Sequence, residues 1–244
     1  MTNIFSIKES VVFGWHKVKA HSGLVFGVVV TMILFQFFSS AIQSALEDSG
    51  PAFFLASVVF SVVSIVLGAG MTVIFLRLAR GDHAHYRDLV PKLGLVWKYF
   101  CSGLLAGLIS FLPLLVGGLL ALGILVATGS VNFSEGPWQG SVVAVVAAAL
   151  IGVVALVGAF YLSLRYSMSR LAVIDGAGII ESIDKSSKLT HGVKGQLVLF
   201  ILALIGLNLL GLLALVVGLL VTIPITAFAF AHVYLKLKSH HGHH

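Results

Sequence analysis

The chain has 244 residues, of which 59% are hydrophobic and only 10% charged, and its mean hydropathy is +1.08. A soluble domain is about a quarter charged, so this composition excludes an ordinary soluble protein and is typical of an integral membrane protein. The formal net charge is +6. No basic stretch is long enough, or far enough from an apolar segment, to indicate nucleic acid binding, and anionic lipid headgroups are the simpler partner.

Six apolar segments are predicted to cross a bilayer, which takes about 20 residues for each span. They cover residues 24–46, 52–76, 99–127, 141–164, 196–216 and 220–235. As one helix, the last two would be about 60 Å long, twice the hydrocarbon thickness. The chain is therefore expected to turn back near Gly218 and Pro224, with a re-entrant pair as the alternative. We predict an all-α polytopic membrane protein with six transmembrane helices in three hairpins.

The distribution of charge predicts the orientation of these spans. All 15 Lys and Arg residues fall on one side of the six-span arrangement, and the opposite loops carry only Glu47, Asp48 and Glu135. The positive-inside rule then places both termini in the cytoplasm. A wrong number of spans would have scattered the basic residues over both sides, so the partition also supports six.

A similar polar junction precedes the first, third and fifth spans. The junctions read KVKAHSGL at residues 17–24, WKYFCSGL at 97–104 and HGVKGQL at 191–197. We predict three approximate repeats within one membrane domain, residues 1–81, 82–170 and 171–238, followed by a His-rich tail at 239–244. Each repeat is expected to hold an in-plane amphipathic helix, whose apolar face dips into the lipid, and then a hairpin. A glycine is expected to let the chain turn into each span.

Two sets of site residues follow from this layout. Lysines near the span ends are expected to lie at the level of anionic headgroups; they are Lys17, Lys19, Lys98, Lys188, Lys194 and Lys236. Small residues and one proline are expected to allow close helix packing; they are Gly23, Gly27, Gly103, Gly107, Gly218 and Pro224.

The predicted spans carry almost no ionisable groups. None contains a deep Asp, Glu, Lys or Arg, which argues against an ion-coupled transporter. The polar exceptions are Gln36, Gln43, Asn208 and His232. Hydrogen bonds between helices explain them more simply than a substrate path does.

The densest polar cluster is DHAHYRD at residues 82–88. His83, His85 and Asp88 are candidates for metal ligands, and Asp175 is a further candidate. An ordinary solvated connector is the favoured interpretation, so we predict no metal and no cofactor.

The C-terminal third carries two segments that resemble a known group of proteins. They are KSSKLTHG at 185–192 and GLLVTIP at 218–224. These segments resemble a broad group of bacterial six-span membrane proteins, which includes the membrane domain found beside some glycerophosphodiester phosphodiesterases and uncharacterised relatives. The resemblance implies a helical domain of the bacterial inner membrane. It implies no activity, because the relatives' catalytic domain is absent from these residues.

The sequence therefore favours a non-enzymatic integral membrane module that interacts with lipids or with a partner membrane protein. One alternative is an uncoupled channel, lipid scramblase or other transporter-like conduit, with Pro113 and Gly117 bending the third span. A second alternative is a metal-dependent enzyme that acts at headgroup level through residues 82–88.

Overall fold

The computed structural model describes residues 4–129, 131–132, 136–137 and 141–241. Apart from two short strands and one 3₁₀ turn, the regular structure in these ranges is α-helical. The helices are α1 (Ile7–Ala20), α2 (Ser22–Ala45), α3 (Gly50–Arg80), α4 (Leu93–Ala127), α5 (Val142–Tyr166), α6 (Ser169–Ile174), α7 (Ile179–Leu189), α8 (Lys194–Leu213) and α9 (Leu215–His241). The 3₁₀ turn, Tyr86–Leu89, precedes α4, and strands β1 (Val131–Asn132) and β2 (Gly136–Pro137) pair antiparallel.

Six segments of the described chain are long and apolar enough to cross a membrane, which confirms the all-α class and the number of spans. They are Ser22–Ala45, Gly50–Arg80, Leu93–Ala127, Val142–Ile174, Lys194–Leu213 and Gly218–His240. The turn between the last two lies at Ala214, four residues before the predicted place. Of the predicted His-rich tail, residues 239–241 continue α9, and residues 242–244 lie outside the described residues.

The first and third junctions contain a separate helix, as predicted. Helix α1 begins after Ser6, whose hydroxyl accepts a hydrogen bond from the Glu9 N–H. Its last turn holds Lys17 and Lys19, whose positive charges interact favourably with the negative end of the helix dipole. The break before α2 is at His21 rather than at a glycine. Between α7 and α8 the chain does turn at a glycine, Gly192, whose φ of +81° suits a residue without Cβ.

The second junction differs, and the prediction of a separate amphipathic helix there is wrong. Only the 3₁₀ turn precedes α4, which runs unbroken from Leu93 to Ala127 through the WKYFCSGL junction. At 1.5 Å per residue, α4 is about 52 Å long, well beyond the ~30 Å of hydrocarbon. The first junction therefore ends a helix at His21, whereas the similar second junction continues a helix through the matching residue, Cys101.

The described residues cluster into two compact units. Unit 1 combines the chain up to Ser102 with the chain from Met168 onward. Its central helix is α9, which contacts α1, α2, α3, α7 and α8. Phe228 and Tyr234 of α9 are fully buried, and the Phe75 ring of α3 meets Phe228 edge to face with centroids 4.7 Å apart.

Unit 2 consists of Gly103–Ser167 and holds the longer part of α4 together with α5. The two helices touch where Gly117 faces Ala155 and where Pro113 faces Gly158. Most of their large apolar side chains are exposed in the isolated chain. Such surfaces are stable only in an apolar solvent, as expected of membrane spans.

Candidate functional site

A charged cluster in unit 1 centres on Asp175, the residue that follows α6. Its side chain is only 7% exposed, and it forms an ion pair with Arg80 at the end of α3. Lys238 of α9 places Nζ 2.6 Å from Oδ2, and the Tyr234 hydroxyl donates a 2.8 Å hydrogen bond to the same oxygen. One carboxylate therefore joins the ends of three helices.

The electrostatics of this cluster favour an ionised Asp175. Burial opposes ionisation, but the hydrogen bonds from Lys238 and Tyr234 and the nearby charge of Arg80 outweigh it, so the pKa lies below that of an ordinary Asp. The carboxylate is occupied by partners within the chain. Its role here is to hold helices together, because replacing such partners would leave charges unpaired.

A second polar set attaches α1 to α9. Lys236 Nζ lies 2.6 Å from Glu9 Oε1, and this hydrogen bond lowers the Glu9 pKa. Ser10 Oγ lies 3.2 Å from His232 Nδ1, and the Phe13 ring stacks on that imidazole with centroids 4.3 Å apart. These contacts fix one side of α1 on the protein.

Ser10, His232 and Glu9 resemble a hydrolase triad in residue type but not in access. The Ser10 side chain is fully buried, and its hydroxyl donates to the Ser6 carbonyl at 2.9 Å. His232 Nε2 is 4.0 Å from Glu9 Oε1, beyond a hydrogen bond. The arrangement is suited to packing α1 against α9, because no substrate reaches the hydroxyl.

The opposite side of α1 is exposed. Lys8, Val12, Trp15 and Lys19 recur at helical spacing, and all four side chains are exposed. Trp15 is 40% exposed, and Lys19 Nζ lies 4.6 Å from the centre of its ring. An indole flanked by lysines is typical of the membrane–water interface. Val18, by contrast, is 2% exposed, so it packs on the protein rather than dipping into lipid.

The structure separates the predicted headgroup lysines by their partners. Lys17 donates to the Leu78 carbonyl at 2.6 Å, and Lys188 and Lys236 pair with Asp184 and Glu9. Within the described ranges, Lys19 and Lys98 have no carboxylate within 4 Å, and Lys194 begins α8. The headgroup role of all six stays a prediction. Sequence reasoning missed Lys8, which its helical phase with Trp15 and Lys19 would have revealed.

One of the three metal candidates in the 82–88 connector, Asp88, is paired with other groups of the chain. Asp88 accepts a 2.9 Å hydrogen bond from the His85 N–H and pairs with Arg77, and both lower its pKa. In the part of the chain that the structure describes, no three His, Cys, Asp or Glu side chains are grouped so that they could hold a metal ion. His83, His85 and Asp88 therefore do not form such a group.

Close backbone contacts occur at only some of the predicted packing residues. A Cβ at Gly23 or Gly107 would meet nothing within 4 Å, and one at Gly27 would meet only the Tyr86 ring. At Gly218 it would overlap the Gly211 backbone, so α8 and α9 pack closely there, with Pro224 inside α9. Gly103 lies inside α4.

The polar residues of the spans form the predicted bonds between helices. Gln43 accepts from Ser57 at 3.2 Å, which joins α2 to α3, and Asn208 donates to Thr226 at 2.9 Å, which joins α8 to α9. His232 joins α9 to α1. The prediction is confirmed for these three residues.

Comparison with known proteins gives one family. The model of DUF975, described as a protein of unknown function, matches residues 9–241. The chain belongs to the DUF975 family. No curated protein and no solved structure matches. The family match takes in all six candidate spans and most of α1, so the DUF975 region contains the Asp175 cluster and, except for Lys8, the exposed face of α1.

Proposed function

We propose that this DUF975 protein is a non-enzymatic, multi-pass module of the bacterial cytoplasmic membrane that binds anionic lipid headgroups through the exposed face of α1. In this proposal both termini are cytoplasmic, as the one-sided distribution of Lys and Arg indicates. The resemblance of residues 185–192 and 218–224 to bacterial six-span proteins supports the choice of membrane.

The observation that carries the proposal is the two-sided character of α1. Its inner side is attached to α9 through Glu9 and Ser10, so the helix cannot turn over. Its outer side presents Lys8 and Lys19 around an exposed Trp15. Each lysine near an anionic surface contributes about 1 kcal/mol of binding. A rigidly held pair gains this without the cost of ordering the helix on binding.

The test compares lipid selection by the full-length protein in nanodiscs that contain phosphatidylglycerol and phosphatidylcholine. Mass spectrometry of the lipids that copurify measures the enrichment of phosphatidylglycerol. Replacing Lys8 and Lys19 by Gln is expected to lower the enrichment. Lys188→Gln is the comparison: its charge is paired with Asp184, so its loss is expected to lower the enrichment less than the loss of Lys8 and Lys19. Unchanged enrichment in the double variant would refute the proposal.

The alternatives stay open to direct tests. A conduit requires a polar path, and the clefts at residues 62–100 and 113–158 are lined by apolar residues and glycine. Movement of solute across proteoliposome membranes, or movement of lipids between leaflets whatever their headgroup, would favour the conduit. Metal-dependent hydrolysis of a lipid headgroup would favour the enzyme. A partner membrane protein that copurifies at fixed stoichiometry would add a protein ligand to the lipid one.

A further inference from the structure

An apolar cleft in unit 1 lies between α3 and the beginning of α4. The α3 side is formed by Val62, Ile65 and Val66, and the α4 side includes Leu93, Gly94 and Trp97. The cleft has a volume of about 530 Å³. That volume falls within the range of about 300–1,000 Å³ that is usual for small-molecule sites.

The described residues leave this cleft uncovered. Leu93 is 79% exposed and Trp97 is 62% exposed. A Cβ on Gly94 would meet no atom within 4 Å, so open space lies over the helix at that position. An apolar ligand would therefore gain burial here without displacing any part of the described chain.

Two cations adjoin the cleft in sequence. Lys92 directly precedes Leu93, and Lys98 directly follows Trp97. Both are exposed, and neither has a carboxylate within 4 Å among the described residues, whereas Arg77, Lys188 and other cations are paired. An apolar cleft beside two unneutralised lysines and an interfacial tryptophan is complementary to a molecule with an anionic head and an apolar tail.

We infer that this cleft holds one acyl chain of an anionic phospholipid, whose phosphate lies between Lys92 and Lys98. The inference rests on the proposed function, since it assigns a specific lipid to the same protein. It uses residues of α3 and α4 and Lys92 instead of residues of α1, and it predicts a defined stoichiometry rather than a general enrichment. A second copy of the chain would bring another apolar surface, but its formal net charge of +6 would repel the lysines.

The test is native mass spectrometry of the full-length protein after delipidation and titration with phosphatidylglycerol or phosphatidylcholine. Wild-type protein is expected to retain one phosphatidylglycerol. In Gly94→Phe, the ring would enter the cleft and lower the affinity at least about tenfold, since the acyl chain loses its burial. Gly107→Phe is the matched control: it is also on α4 with open space around its Cβ, but outside the cleft.

A second variant keeps the result interpretable if Gly94→Phe does not fold. Replacing both Lys92 and Lys98 by Gln is expected to weaken phosphatidylglycerol about thirtyfold and to leave phosphatidylcholine unchanged. The inference would be overturned if this variant preferred phosphatidylglycerol over phosphatidylcholine as strongly as the wild type does. The inference would also be overturned if Gly94→Phe retained phosphatidylglycerol as well as the wild type does, or if the protein formed a dimer and bound no lipid.

The α1 variant distinguishes the two proposals. When Lys8 and Lys19 are replaced by Gln, the single phosphatidylglycerol should be retained if it lies in the cleft. Its loss would place the headgroup on α1 and contradict the cleft assignment. If that variant retains the lipid and also shows unchanged enrichment in nanodiscs, the cleft assignment stands and the proposed function fails.

Discussion

Lys238 near the end of α9 places its Nζ 2.6 Å from Oδ2 of Asp175, the residue directly after α6. Arg80 at the end of α3 pairs with the other oxygen. The carboxylate is buried, while both cations are partly exposed. Two positive charges therefore depend on one acid, and removing the acid leaves more unpaired charge than removing either base.

Asp175→Asn should destabilise the protein strongly. Breaking a buried ion pair costs about 3–5 kcal/mol, and partial hydration of Arg80 and Lys238 reduces this to about 2–3 kcal/mol. Thermal unfolding in detergent, followed by size-exclusion chromatography, measures the loss. Asp184→Asn is the control, because the Asp184–Lys188 pair is exposed and its removal should change stability by less than about 0.5 kcal/mol. Equal effects of the two variants would contradict the assigned role of Asp175.

The same carboxylate predicts a dependence of stability on pH. Because the folded-state pKa of Asp175 is lowered, its contribution is complete above the unfolded Asp pKa of about 3.9 and is lost as pH falls through the folded pKa. The stability difference between wild type and Asp175→Asn should therefore be constant near neutral pH and shrink below about pH 4. A difference that grows on acidification would have the wrong sign.

The six spans were predictable because hydropathy and charge are local properties of the sequence. Where a helix breaks is not local. The junctions at His21 and at Cys101 have similar sequences, yet only the first breaks. Helix α1 packs on α9, a contact between residues distant in sequence that no junction motif encodes. The turn before α9 was placed at Gly218, a residue that the fold uses for contact with Gly211 instead.

The Asp175 cluster was beyond sequence reasoning for a related reason. Arg80 and Tyr234 lie 95 and 59 residues away along the chain, and no spacing rule connects them. The sequence therefore named Asp175 only as a further ligand for a metal site that was not the favoured interpretation, and it gave no sign of the ion pairs. The outer face of α1, by contrast, follows helical periodicity. Of its two lysines only Lys19 was predicted to meet headgroups, and Lys17, predicted with it, donates to the Leu78 carbonyl instead.

Gly70→Ala should be far more harmful than Gly68→Ala on the same helix. A Cβ at Gly70 would overlap the Leu89 carbonyl at the end of the 3₁₀ turn, whereas one at Gly68 would meet nothing within 4 Å. We expect a loss of roughly 3 kcal/mol for the first and a gain of up to about 1 kcal/mol for the second, from better helix propensity. Thermal stability of both variants in detergent checks the order. Similar values would mean that the connector does not pack on α3.

Gly14→Ala should loosen α1 from α9. The new Cβ would lie 2.6 Å from the Ile225 carbonyl oxygen, so the two helices must separate. Hydrogen exchange of residues 7–20 is expected to quicken by about tenfold as α1 opens more often. Gly23→Ala, at the start of α2, meets nothing within 4 Å and serves as the control. Unchanged exchange in Gly14→Ala would show that α1 does not depend on this contact.

The orientation of the spans can be tested with single cysteines in a Cys101→Ser background. The charge distribution predicts that the loop before α3 is outside and the end of α9 is inside. Ser49→Cys and Ser239→Cys are suitable reporters, since both side chains are exposed. Ser186 is unsuitable because it is buried and accepts a 3.1 Å hydrogen bond from the Met168 N–H, and Ser134 lies outside the described residues. An impermeant thiol reagent added to intact cells should label position 49 alone, and both positions after permeabilisation. Labelling of position 239 alone in intact cells would show the opposite topology, in which the lysine face of α1 lies at the outer surface of the membrane.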